Sequence, residues 1–186
     1  MIQYTLIRMI TIILSIFPLK IIRMFKYPFG VMYFILSVRS TLRLIKRKKY
    51  FKENNIMEIS PLIQKIYYTQ YWLETIWINS KVNKNLSEYV VIKDKDKVKK
   101  LNLNNEGFII ALPHQGNWEF AIPAGNELGL NLAAVAEPLM NKYILDWFIA
   151  LREKMGCKII IGGKKNDTYS SIKDLITEGY AVCLVS

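Results

Sequence analysis

One short segment carries the residue types of acid–base chemistry: Pro113-His114-Gln115-Gly116-Asn117-Trp118-Glu119. His114 is the only histidine in the 186-residue chain. A carboxylate on one imidazole nitrogen fixes the tautomer and raises the basicity of the other nitrogen. That second nitrogen can then take a proton from an attacking hydroxyl. On a straight helix His114 and Glu119 would diverge, so their pairing needs a turn, and Gly116 permits one. Pro113 ends whatever strand precedes it, and Asn117 can cap a following helix. Free N–H groups at that helix start could hold developing negative charge. The pair names no substrate: it serves hydrolysis as well as transfer, and a lone histidine at a strand end is also an ordinary cap or core residue.

The elements around this segment follow from its flanks. Phe108-Ile-Ile-Ala-Leu112 is a short apolar run between Gly107 and Pro113, the pattern of a buried strand. A helix is expected from about Asn117 to Leu128, a strand at Asn131–Ala136, and a second helix from Pro138 to Met155. That helix would bury Leu139, Tyr143, Trp147, Leu151 and Met155. Cys157–Ile161 reads as a third strand, Thr168–Thr177 as a third helix and Tyr180–Val185 as a fourth strand. Strand and helix alternating with short links predict an α/β fold, a mostly parallel sheet flanked by helices. His114 then lies on a loop at the carboxyl edge, where open α/β sheets keep their working residues. Glu137 ends the second strand on the same rim, although a carboxylate beside a helix start is also explained by the dipole. Upstream, Ser60 and Pro61 begin a helix whose many apolar residues predict burial on most sides. The charged stretch Lys93–Lys100 reads as a solvated face or loop.

Charge divides the chain. Residues 1–52 hold eleven of the 26 Lys and Arg and none of the 15 Asp and Glu, so the whole net charge of +11 sits there. The same quarter is rich in Ile, Leu, Phe and Met. Cations within continuous aliphatic runs suit an anionic lipid surface; a nucleic-acid reader would set them among polar and aromatic residues. We therefore expect a membrane-associated helical arm over 1–52, an α/β domain over 53–186, anionic membrane lipids as partners and no nucleic acid. The apolar runs are short of the roughly 20 residues that a crossing needs. An in-plane helix is favoured over a span by residues 2–19 with Arg8 snorkelling. No small-residue cleavage site follows, so a signal peptide is not expected. Cys157 and Cys183 read as small buried residues in a reducing compartment, and one histidine without a cluster argues against a metal. The chain ends directly after the fourth strand, the expectation being a C-terminally truncated enzyme.

The H-x-x-x-x-E pattern, here His-Gln-Gly-Asn-Trp-Glu, resembles the motif of the lysophospholipid acyltransferase-like superfamily. Three further segments agree in order: Tyr67-Tyr-Thr-Gln-Tyr-Trp-Leu-Glu74, Ala134-Val-Ala-Glu137-Pro-Leu139 and Trp147-Phe-Ile-Ala-Leu-Arg152-Glu-Lys-Met-Gly156. Together they are similar to the lipid A biosynthesis acyltransferase family, and more so to its phosphatidylinositol mannoside acyltransferase branch. The resemblance implies that His114 is the general base with Glu119 its partner, and that Glu137 and Arg152 bind the polar head of the acceptor. For Arg152, a surface ion pair with its neighbours Glu153 or Asp146 is the alternative. It also implies a glycolipid acceptor, an acyl-CoA or acyl-carrier-protein thioester as co-substrate, and no cofactor. The chain lacks a G-x-S-x-G elbow or a cysteine close to His114, so direct attack without an acyl-enzyme is expected. The location implied is the cytoplasmic face of the bacterial plasma membrane, peripheral or held by one N-terminal span. Lys164 and Lys165 could meet a donor phosphate, although a solvated loop is the plainer reading. A non-catalytic membrane-binding fragment remains the alternative from another class.

Overall fold

In the computed structural model, which describes residues 2–56, 59–82, 84–101, 106–163 and 167–185, all four apolar runs are strands. They are β1 (Phe108–Leu112), β2 (Leu132–Ala136), β3 (Cys157–Ile161) and β4 (Ala181–Val185). Every pairing is parallel, in the order β1-β4-β2-β3, with Leu112 opposite Val185 and Ala136 opposite Ile161. The protein is thus an α/β fold with an all-parallel sheet. Its flanking helices are α7 (Ala121–Glu127), α8 (Lys142–Lys154) and α9 (Thr168–Thr177).

Right-handed crossovers dictate which face each helix takes. The steps β1 to β2 and β2 to β3 run one way across the sheet, and β3 to β4 runs back. α9 should therefore lie opposite α7 and α8. Side chains agree. Ala133, Ile160, Leu175 and Val182 form one buried cluster with Ile172 and Ile176 of α9. Leu132, which points the other way, lies against Gly125 of α7.

Local signals explain most of the boundaries. Asp167 caps α9 by accepting from the Ser170 N–H at 3.1 Å. For α8 the start falls at Lys142 and not at Pro138, because the Asn141 side chain accepts from the N–H groups of Tyr143 and Ile144. Leu139 and Tyr143 are exposed in consequence, and the buried face is Trp147, Phe148, Leu151, Arg152 and Met155. Gly107 admits a close approach: a Cβ there would stand 2.1 Å from the Ile176 carbonyl oxygen. The charged stretch read as a solvated face or loop contains a short, mostly exposed helix, α6 (Lys95–Leu101).

The chain divides into two compact units, Met9–Ser80 and Lys81–Ser186 with Met1–Arg8. The first contains α1 from Met9 onward (the whole helix is Ile2–Ser15), α2 (Leu19–Met24), α3 (Lys26–Leu36), α4 (Val38–Glu53) and nearly all of α5 (Pro61–Lys81). Its core includes Leu14, Leu19, Ile22, Ile76, Trp77 and Ile78, and the Trp77 indole donates to the Phe17 carbonyl at 2.9 Å. α5 is buried all round over Glu74–Ile78 and exposed at Ile63, Tyr67 and Tyr68; its buried residues include the polar Lys65 and Glu74. The polar residues point inward because their partners are there, Ser40 for Lys65 and Arg23 for Glu74. Burial lowers the Lys65 pKa, since desolvation disfavours its charge.

Among the described residues, no single helix is long and apolar enough to cross a membrane. α1, at 14 residues, falls short. Only the segments Leu19–Leu36 and Val38–Glu53, bent by 93°, pass the length and composition test together.

Candidate active site

The turn after β1 is built by its sequence. Gly116 takes φ +63°, a left-handed conformation that glycine adopts without strain. The Asn117 side chain then accepts from the Glu119 N–H at 3.1 Å and starts a 3-10 turn, Trp118–Phe120, that leads into α7. This cap leaves His114 exposed on the rim and turns Glu119 inward, where it is 1 % exposed.

The partner that the structure gives the Glu119 carboxylate is Arg152. Its Nη2 donates to Oε1 at 2.7 Å and its Nε to Oε2 at 3.1 Å, a bidentate pair in the interior. The guanidinium also lies 4.8 Å from the centre of the Trp118 ring and 5.1 Å from that of Phe148. Arg152 is therefore not a surface residue paired with its helix neighbours; Asp146 pairs with Lys142 instead. His114 meets the same assembly through Trp118, ring centres 6.1 Å apart. The spatial sequence is His114, Trp118, Arg152, Glu119. Sequence reasoning singled out three of these four and missed Trp118. Its signal was present: Phe148 and Arg152 share a helical face four residues apart, and Trp118 adjoins the carboxylate.

Glu137 is exposed after β2, on the rim that also bears His114, with β4 lying between their strands. It lines a cleft of about 380 Å³ with Val135, Pro138, Gly162, Gly163, Leu184 and Val185. Val185 is the register partner of Leu112, two residues before His114, so this cleft opens beside the histidine's strand. Lys164 and Lys165 lie outside the described residues.

Cys157 lies on the α8 side of β3, and its thiol is pushed up to about 12. Burial is the main cause; Cys183 and Glu119 add to it and Arg152 opposes it. The folded chain keeps this proton while the unfolded chain loses it near 9.0. Cys157 therefore makes the fold lose stability as pH climbs from 9 toward 12. In a Cys183→Ser background, iodoacetamide at pH 8 should leave Cys157 unlabelled until denaturant is added; rapid labelling of native protein would contradict its burial.

The fold and site define an α/β protein with an exposed histidine and glutamate at the carboxyl edge of an all-parallel sheet and a buried glutamate–arginine pair in its interior. A family model described as bacterial lipid A biosynthesis acyltransferase matches residues 2–186, and the chain belongs to that family. It is also 26% identical over 123 residues to the phosphatidylinositol mannoside acyltransferase of Mycolicibacterium smegmatis (strain ATCC 700084 / mc(2)155). That match covers 64% of this chain and 40% of the relative's length.

Proposed function

We propose that the protein acts as a membrane-associated O-acyltransferase, moving a fatty acyl chain from a thioester to a hydroxyl of a glycolipid. The observation that carries this reading is an exposed imidazole on the carboxyl rim, beside a buried Glu–Arg pair, in a chain of this family. His114 takes the hydroxyl proton as the oxygen attacks the thioester carbonyl. The C–S bond then breaks, and the thiol leaves with a proton returned by the imidazole. Glu119 and Arg152 fix the turn that carries the base. Glu137, exposed on the same rim, is placed to bind acceptor hydroxyls.

A phosphatidylinositol mannoside is the acceptor favoured by the named relative. The family's description favours a lipid A precursor as the second reading. The donor is an acyl-CoA or an acylated carrier protein, and the working place is the cytoplasmic face of the bacterial plasma membrane. The test uses a radiolabelled acyl thioester with the intact polypeptide and each glycolipid in turn. Label on glycolipid, with one thiol released per acyl group moved, is expected. Thioester loss to water at the same rate with or without glycolipid would overturn transfer, and no turnover at all would favour a membrane-binding role alone.

A further inference from the structure

The cations of residues 1–52 are not equivalent. Two of them face the protein: Arg23 donates to Glu74 at 2.7 Å and Lys26 to Gln70 at 2.8 Å, both on α5. On α4, Arg39, Arg43, Lys46, Arg47, Lys49 and Lys52 are exposed and Lys48 is half-buried. At 100° per residue, Val38, Leu42 and Ile45 share one exposed stripe of α4, and Arg39, Arg43 and Lys46 flank it, also exposed. The side next to the stripe, away from these cations, turns inward, with Thr41 buried and its hydroxyl donating to the Phe34 carbonyl at 2.9 Å.

Just before α4 the chain bends by 93°. The residues at that corner, Ile35 and Leu36, are 63% and 71% exposed, and Val31 and Met32 one turn earlier are exposed too. Exposed apolar residues thus lie on both sides of the corner, in a stretch, residues 1–52, whose Lys and Arg are accompanied by no Asp or Glu. Two copies of this surface would bring like charges together, which argues against self-association. α4 has seven Lys and Arg in its 16 residues, too many for a bilayer core.

We propose that this elbow is the segment that enters an anionic lipid surface. Ile35 and Leu36 reach the boundary between headgroups and acyl chains, and α4 lies in the plane with Arg39, Arg43 and Lys46 at lipid phosphates. The proposal deepens the membrane association in the functional reading by naming which residues meet lipid and which do not.

The full chain is floated with phosphatidylcholine vesicles with or without phosphatidylglycerol. Binding is expected only with the anionic lipid. The Arg43→Gln/Lys46→Gln variant should partition about 30-fold less, from about 1 kcal/mol per cation. Ile35→Ser/Leu36→Ser should partition at least about tenfold less, whereas Arg23→Gln should change partition less than about threefold, because its partner is Glu74. Circular dichroism reports whether each variant is folded. A nitroxide on Leu36→Cys should, independently, be shielded from aqueous quenchers by anionic vesicles. Folded elbow variants that float like the parent, equal binding to neutral vesicles, or a vesicle-free dimer broken by Leu36→Ser would each overturn the proposal. A chain that transfers acyl groups in detergent but leaves anionic vesicles unbound would overturn it too and leave the enzymatic reading intact. A chain that binds vesicles through the elbow yet turns over no thioester would do the reverse.

Discussion

An Arg152→Met variant loses about 3–5 kcal/mol of folding stability, the scale expected when one member of a buried ion pair is removed. The reason is geometric. Glu119 is 1 % exposed and both its oxygens accept from the guanidinium, so methionine strands a carboxylate in the interior. Methionine fills much of the same volume between Trp118 and Phe148, which keeps the cavity term small. Arg152→Lys does not rescue the variant, because an ammonium cannot offer two parallel donors or stack flat on an indole. The decisive comparison is the double variant Glu119→Gln/Arg152→Met. With the charge gone from both sides, its stability should recover by about 2 kcal/mol or more relative to Arg152→Met alone. Urea unfolding of the parent, Glu119→Gln, Arg152→Met and the double variant measures the coupling directly. If the double variant were no more stable than the single one, the Glu119–Arg152 pair would not be what holds this turn in place.

That pair shows where the sequence stopped being legible. β1 and β3 end where their apolar runs end, and α9 spans the residues expected of it, because glycine, proline and a capping Asp167 mark those limits locally. Strand order is another matter. Placing β4 between β1 and β2 depends on pairings across more than 40 residues, which no local pattern encodes. The partner of Glu119 has the same origin. Arg152 is 33 residues away and reaches Glu119 because consecutive crossovers put α7 and α8 on one face. α5 is buried over Glu74–Ile78, in keeping with its apolar richness, but the polar pair inside it was not legible: Glu74 meets Arg23, 51 residues upstream. What could be read was the chemistry of single residues. Which of them meet required the fold.

The same division of labour sets the second large effect. His114→Ala should cut acyl transfer by about 10²–10⁴-fold, the usual contribution of a positioned general base. It should do so with stability unchanged within about 0.5 kcal/mol, because the side chain is exposed and lies loosely beside Trp118, ring centres 6.1 Å apart. The fall should appear in kcat, with the KM for glycolipid moving by less than about threefold, since the imidazole acts on the proton in flight and not on the lipid at rest. Glu119→Gln supplies the contrast. It removes a charge that is buried and paired, so it lowers stability together with turnover. A loss of stability in His114→Ala as large as that in Glu119→Gln would mean that the imidazole belongs to the packed turn. Transfer by folded His114→Ala at the parent rate would remove the base from the mechanism, and the rim would then need another residue to take the hydroxyl proton.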